Sequence, residues 1–355
     1  MTPKRKALAV KPQPEIQAEP RAPKKPAASL NIPWPASEAM SKLSLSERVQ
    51  VKIAKALMRL MPIYQRTIEE GPVEGPDPLP VIRRGLIEYE DEVNGGFFRW
   101  IGRSAHLLSG KDVLDLGSGY GGRAVRYSEL GARSVIGIDI KFQAVRKAVE
   151  LSRFKQSNNS RFVQSAGEHM PFADESFDII TAYDVFEHVE DPEKCLQECK
   201  RVLRKGGQLL LVFPPYFHPL GTHLEGYVSN FPYLNLLFST RVLVSAADEI
   251  LKERNEKLSF VLRPKDKLYG MNGLTIRAFK QMVLRTGFAP ERFECRPLFE
   301  PYNRKYKRFK MKYYYWFIKL LPELPVLNEL FTGRVVCCLV KPDNGHKITS
   351  HLASR

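Results

Sequence analysis

The spacing of apolar positions divides this chain into a regular middle and irregular flanks. From about residue 112, short unbroken apolar runs alternate with segments whose apolar residues recur every three to four positions. The runs predict strands near 112–116, 134–139, 161–164, 178–183 and 208–213, with helices between them. Such runs suit strands buried on both faces, so the expected fold class is α/β, a mostly parallel sheet with helices on either side. After the fifth run the rhythm lapses. It returns with a helix near Thr275 to Arg285, stopped by Gly287, then a strand near Phe288 to Arg296 and a last one near Arg334 to Val340.

The lapses mark two insertions. Pro214 to Gly273, about 60 residues, follow the fifth strand, and Pro297 to Gly333, about 37, separate the sixth strand from the seventh. Additions at the carboxyl ends of strands are where α/β enzymes keep their specificity, so the first is expected to form a lid over a second substrate. Sequence does not say which rim the second reaches.

Ahead of the core, residues 1–40 are rich in Pro, Ala and Lys and poor in periodic apolar content, which predicts a disordered tail. Ser44 and Glu47 form a capping box that opens a helix running to Met61, before Pro62. Leu45, Val49, Ile53, Leu57 and Leu60 share one face of it and are expected to pack on the domain. Arg48, Lys52, Lys55 and Arg59 lie elsewhere around it, and contact with anionic lipid headgroups is the alternative. Gly71 to Pro80 reads as a linker, and a helical segment around Glu88 to Leu108 leads into the first strand. The expected organisation is thus a tail at 1–40, a helical extension at 41–108, a core at 109–342 with insertions 214–273 and 297–333, and a short tail at 343–355.

The chemistry is concentrated where the first apolar run ends. Val113-Leu-Asp115-Leu-Gly117-Ser118-Gly119-Tyr-Gly121-Gly122 takes a strand through a glycine-rich turn into a helix. The second strand, Val135-Ile-Gly-Ile-Asp139, closes with a carboxylate 22 positions after the first glycine. Glycines let the backbone bend tightly and approach a ligand, amides at a helix start face its polar part, and Asp139 is placed to accept from both hydroxyls of a ribose. By itself the glycine pattern fits a nicotinamide cofactor as well.

Residues downstream separate those readings. Asp115-Leu-Gly-Ser-Gly resembles the first motif of the class I S-adenosylmethionine (SAM) dependent methyltransferases, most nearly their small-molecule and lipid branch. Met170-Pro-Phe-Ala-Asp-Glu-Ser-Phe-Asp178-Ile-Ile resembles that family's loop into strand four. Glu187-His188-Val189 and then Arg201-Val-Leu-Arg-Lys-Gly-Gly207 before the fifth strand complete four motifs in order over about 100 residues. The resemblance implies a Rossmann-like seven-stranded sheet, SAM as cofactor, and an antiparallel last strand. It implies that Asp115, Gly117, Ser118, Gly119, Gly121, Asp139, Ile140 and Asp184 line the cofactor. Where relatives carry an acidic residue near the adenine this chain has Ala166, so Ala166 and Gly167 amides and the Glu168 carboxylate are the expected contacts. Asp178 is expected to serve strand packing.

Methyl transfer from a sulfonium needs alignment first, and a base only when the acceptor must lose a proton. His218 and His223, just beyond the fifth strand, are the candidate bases; His188 is a weaker candidate, with a cofactor-positioning role as its alternative. Tyr216 and Tyr227 are candidates to shape the pocket.

Charge and cysteines refine the setting. The net charge of +16 is uneven: residues 1–30 hold seven basic and two acidic residues, and 301–320 seven basic and none acidic. In 302–321 the basic residues run into a dense aromatic block, which suits core packing, an anionic membrane interface or RNA; lipid is preferred because Tyr313 to Leu321 is so continuously apolar. Five cysteines form an odd set without zinc-like spacing, so free thiols and no metal are expected. With no spanning or secretory segment, the expected place is the cytoplasm, free or peripheral to a membrane's inner face. The reading is oxygen or carbon methylation of a small or lipid-linked acceptor, with RNA or protein methylation, or a non-catalytic SAM-binding scaffold, as alternatives.

Overall fold

The computed structural model describes residues 43–62, 79–224, 228–254, 271–297 and 327–343. Tyr227, the segment 302–321, the tails at 1–40 and 344–355 and residues 71–78 of the expected linker lie outside the described residues. The sheet comprises β1 (Asp112–Leu116), β2 (Ser134–Asp139), β3 (Ser160–Gln164), β4 (Phe177–Tyr183), β5 (Leu203–Phe213), β6 (Ala289–Pro297) and β7 (Thr332–Val340), in the order β3-β2-β1-β4-β5-β7-β6. β1 to β5 pair in parallel, and β7 runs antiparallel to both β5 and β6. The fifth strand starts five residues before its expected Gln208. Gly206, at φ 72°, lets the chain keep pairing through a register shift.

Alternate residues of each strand feed two cores. Leu114, Leu116, Ile138, Ile180 and Leu211 pack under α6 (Pro192–Val202) and α9 (Ile276–Thr286). Val113, Val135, Ile179, Leu210 and Val212 pack under α3 (Gly96–Ile101) and α4 (Gly122–Glu129). α5 (Phe142–Phe154) links β2 to β3. The expected helical segment at 88–108 is three pieces: α2 (Leu79–Val93), α3 after a break at Asn94 and Gly95, and a 3₁₀ turn at Ala105–Leu108. Pro80, read as linker, sits in the first turn of α2, where a proline removes no helical hydrogen bond. At the amino edge, Asp178 accepts from the Asp112 amide at 2.9 Å and pairs with Arg204 at 3.0 Å, far from the carboxyl rim.

A separate cluster forms beside the sheet. α1 (Leu45–Leu60), opened by its Ser44 capping box, packs against α7 (Leu234–Leu237) and α8 (Thr240–Glu253) of the first insertion. Val51, Ala54 and Met58 are the buried side. The expected face is therefore corrected: Leu45, Val49, Ile53 and Leu60 point outward and only Leu57 is partly covered. α1 carries two apolar stripes, and the small residue Ala54 at the centre of the second permits the closer approach to α8.

Candidate functional site

The described candidate site residues stand on the carboxyl rim of the sheet, in two groups. The first surrounds the turn after β1. Gly117, Gly119 and Gly121 all adopt left-handed φ, and a Cβ on Gly117 would lie 2.4 Å from Val185. The Asp139 carboxylate accepts from the Gly119 amide at 3.1 Å and the Lys141 amide at 2.8 Å, one on each oxygen. Each oxygen keeps a lone pair, and Ile140 beside it is 52% exposed, an apolar surface at the mouth. Asp115 is buried; Thr181 donates to one of its oxygens at 2.9 Å, while the other oxygen and the Ser118 hydroxyl have no partner among the described residues. Burial pushes the Asp115 carboxyl up, opposed by the charge of Arg123.

α2 reaches into this group. The Tyr120 and Gly122 amides donate to Glu88 at 3.2 and 3.3 Å. Gly85 and Gly122 permit this approach, since a Cβ on either would meet backbone at 2.6 Å or less. Burial raises the Glu88 carboxyl, against Arg123 and the two amides. The segment 165–168 lies alongside, with the Ser165 amide donating to the Asp139 carbonyl at 3.0 Å. Ala166 is half-buried, and Gly167 packs so that a Cβ would meet the Cys195 sulfur at 2.8 Å. One Glu168 oxygen accepts from the Glu190 and Asp191 amides at 2.6 and 3.1 Å, so this carboxylate orders the loop ahead of α6.

The second group lies beyond β4 and β5. Asp184, in left-handed backbone at φ 56°, is ion-paired with Arg334 at the start of β7. Glu187 is fully buried, and neither carboxyl oxygen has a hydrogen-bond partner among the described residues. Burial first, and Asp184 second, push its carboxyl well above the ordinary range. His188 Nε2 is 3.8 Å from Glu187, and its ring meets that of His223 edge-on at 5.2 Å. His223 is itself held at φ 53°.

His218 is buried, and its Nδ1 accepts the Leu220 amide at 3.1 Å. A neutral imidazole accepting at Nδ1 carries its proton on Nε2, and that N–H has no partner among the described residues. Burial, then Arg334, lower the His218 pKa to about 3. Burial, then His188, His218 and Arg334, push His223 well down. The loop is sewn over the site: the Tyr216 amide donates to the Leu274 carbonyl at 2.9 Å, and the Asn272 side chain to the Phe186 and Val189 carbonyls at 2.6 and 2.9 Å.

Residues 114–211 match the family model described as a methyltransferase domain. This stretch, from β1 into β5, is a class I SAM-dependent methyltransferase domain. Among the relatives of this methyltransferase core, an uncharacterized methyltransferase, YcgJ of Bacillus subtilis, is 36% identical over 128 residues, 36% of this chain and 49% of that protein. A ubiquinone biosynthesis O-methyltransferase of Paraburkholderia phymatum is 32% identical over 138 residues, 39% of this chain and 56% of that protein. A tRNA U34 carboxymethyltransferase of Idiomarina loihiensis is 36% identical over 122 residues, 32% of this chain and 36% of that protein. The chain spans about half the length, or less, of these curated relatives.

The methyl donor of this family is SAM, and the first group fits it. One Asp115 oxygen and the Ser118 hydroxyl, both without a partner among the described residues, a turn built on glycines, an anchored Asp139 carboxylate and an exposed Ile140 suit such a nucleoside sulfonium. The rim also brings in residues that the sequence did not single out for roles: Glu88, Arg123, Glu187 and Arg334. Arg334 had a signal, since a lone cation opens a strand that is otherwise apolar through Val340. Glu88 had none, because its helix is joined to the glycine turn only through the fold.

Proposed function

We propose that this protein transfers the methyl group of SAM to oxygen or carbon of a small or lipid-linked acceptor held between the two groups of the carboxyl rim. The supporting observation is the enclosed second group. Pro214, Pro215, His218, Gly221 and Thr222 are buried, and side chains of both charge types converge beneath them. Buried side chains of this kind suit a compact acceptor better than the exposed face of a polymer. The ubiquinone O-methyltransferase among the relatives favours the same class.

In this reading Asp139 takes the ribose hydroxyls, Ile140 and the 166–168 segment flank the adenine, and Asp115 with the glycine-turn amides holds the amino-acid end. SAM supplies an electrophilic methyl carbon with its leaving group built in. The chain's task is then to align an acceptor and exclude water. The His218 Nε2–H donates to an acceptor oxygen and orients it. His223, whose basicity burial lowers, and His188, whose ring it meets edge-on, are the candidate proton acceptors. Arg334 offsets negative charge developing on a deprotonating acceptor.

The test is transfer of radiolabelled methyl from SAM into a cell extract, separated into organic-soluble, nucleic-acid and protein fractions. Label in the organic fraction supports the reading. Label in RNA or protein overturns the acceptor class, and SAM binding without label in any fraction overturns catalysis.

A further inference from the structure

The outward stripe of α1 is a surface that the methyl-transfer reading leaves unused. Leu45 is 81% exposed, Val49 51%, Ile53 49% and Leu60 69%, and their four- and seven-residue spacing lines them up as one apolar strip along four turns. A scattered exposed leucine is ordinary; a continuous strip on one helix marks a surface that meets something.

What flanks the strip decides what it meets. Arg48, Lys52, Lys55 and Arg59 follow one another at the same spacing and form a row immediately beside it. The single acidic residue of α1, Glu47, is turned back toward Ser44 and Arg241. Lys55 and Arg59 are anchored to α8, Lys55 by Glu249 at 2.7 Å and Glu253 at 2.6 Å, and Arg59 by Glu253 at 2.5 Å. These pairs fix the rotation of α1 on the insertion, so the strip must face away. Lys52 has no ion pair among the described residues.

We propose that α1 lies on an anionic lipid surface, its strip in the acyl boundary and Arg48 and Lys52 at the headgroup phosphates. Aliphatic side chains beside a cation row match the chemistry of such an interface; the strip has no aromatic ring on which a nucleobase would stack. The arrangement also places the reaction site. The Asn230 amide donates to the Met61 carbonyl at 2.9 Å, and Asn235 to the Tyr216 carbonyl at 2.5 Å, so the unit that meets the lipid is tied directly to the loop bearing His218 and His223. No helix among the described residues is long and apolar enough to cross a membrane, so the attachment lies along the surface.

The test uses the full chain and flotation with phosphatidylcholine vesicles, with and without phosphatidylglycerol. Binding is expected to the anionic vesicles and to weaken in high salt. Val49→Ser with Ile53→Ser is expected to weaken it roughly tenfold or more, and Lys52→Gln about fivefold. Both variants are expected to keep wild-type circular dichroism and SAM affinity, since these side chains face solvent. The proposal is overturned if the wild type ignores anionic vesicles or if the variants bind as well as wild type, which would assign binding to other basic segments. It is equally overturned if wild type is a dimer that Val49→Ser with Ile53→Ser dissociates, since a second copy then covers the strip. Flotation needs no turnover, so its failure is separable from failure of the methyl-transfer reading.

Discussion

The two halves of the carboxyl rim are built from different kinds of chain. Around β1 and β2 the candidate cofactor contacts come from adjacent short turns, and backbone amides do much of the holding. Gly119 and Lys141 fix Asp139, and three glycines shape the turn. Beyond β4 and β5 the groups are side chains from four separate stretches, at 184–188, 218–223, 272–274 and 334, which long-range hydrogen bonds bring together. The first half is suited to one invariant ligand and the second to an adaptable one. A turn of glycines tolerates little change, whereas a stitched loop can be rebuilt without touching the sheet.

The largest expected effect breaks the first half alone. Asp139→Ala removes the carboxylate expected to take two ribose hydroxyls, each charge-assisted bond worth about 2 kcal/mol, so SAM affinity should fall by about 4 kcal/mol, roughly a thousandfold. Calorimetric titration at unchanged thermal stability reads it. An affinity within a few-fold of wild type would sink the assignment and move the ribose elsewhere on the rim.

That half was legible before any coordinates, because its determinants are local. Glycines at fixed offsets, a strand before them and a carboxylate after the next strand all lie within one βαβ unit. The second half was legible only in pieces: His218, His223 and Tyr216 in a long insertion, His188 as a weaker candidate and Asp184 as a cofactor contact. Glu187 and Arg334 are 147 positions apart; only the antiparallel return of β7 beside β5 brings Arg334 to Asp184. The same limit explains the error on α1. Its sequence carries two apolar stripes, Leu45-Val49-Ile53-Leu60 and Val51-Ala54-Met58, and periodicity ranks the bulkier one as buried. The choice was made by α8, whose Glu249 and Glu253 require the Lys55 and Arg59 side to lie beside them.

A second substitution should separate the halves from the other direction. Met58 is fully buried in the cluster shared by α1 and the first insertion. Met58→Ala leaves a cavity there and should destabilise that unit by about 3 kcal/mol. Hydrogen exchange in α1 and α8 should rise while that of β1 to β4 stays at the wild-type level, and SAM affinity should be unchanged while turnover falls. Equal loosening of the sheet would show that the two halves are one cooperative unit and that the contrast drawn here is one of sequence only.

The smallest effect concerns acid. The His218 pKa is lowered to about 3 by burial and then by Arg334, against 6.5 for an unburied imidazole. A base with a depressed folded pKa stabilises the fold fully above its unfolded pKa, and that stability is lost as pH falls below about 6.5, because the unfolded chain takes up the proton first. By pH 5 the loss from His218 should be about 2 kcal/mol. His223, depressed by burial and by His188, His218 and Arg334, adds to it with the same sign. His218→Asn keeps an acceptor for the Leu220 amide but does not titrate, so urea unfolding at pH 5 and pH 7.5 should show a smaller acid loss in the variant. Identical losses would mean that His218 is hydrated or already paired in solution. The second half of the rim would then be open to water, and a buried imidazole N–H would no longer be available to orient the acceptor.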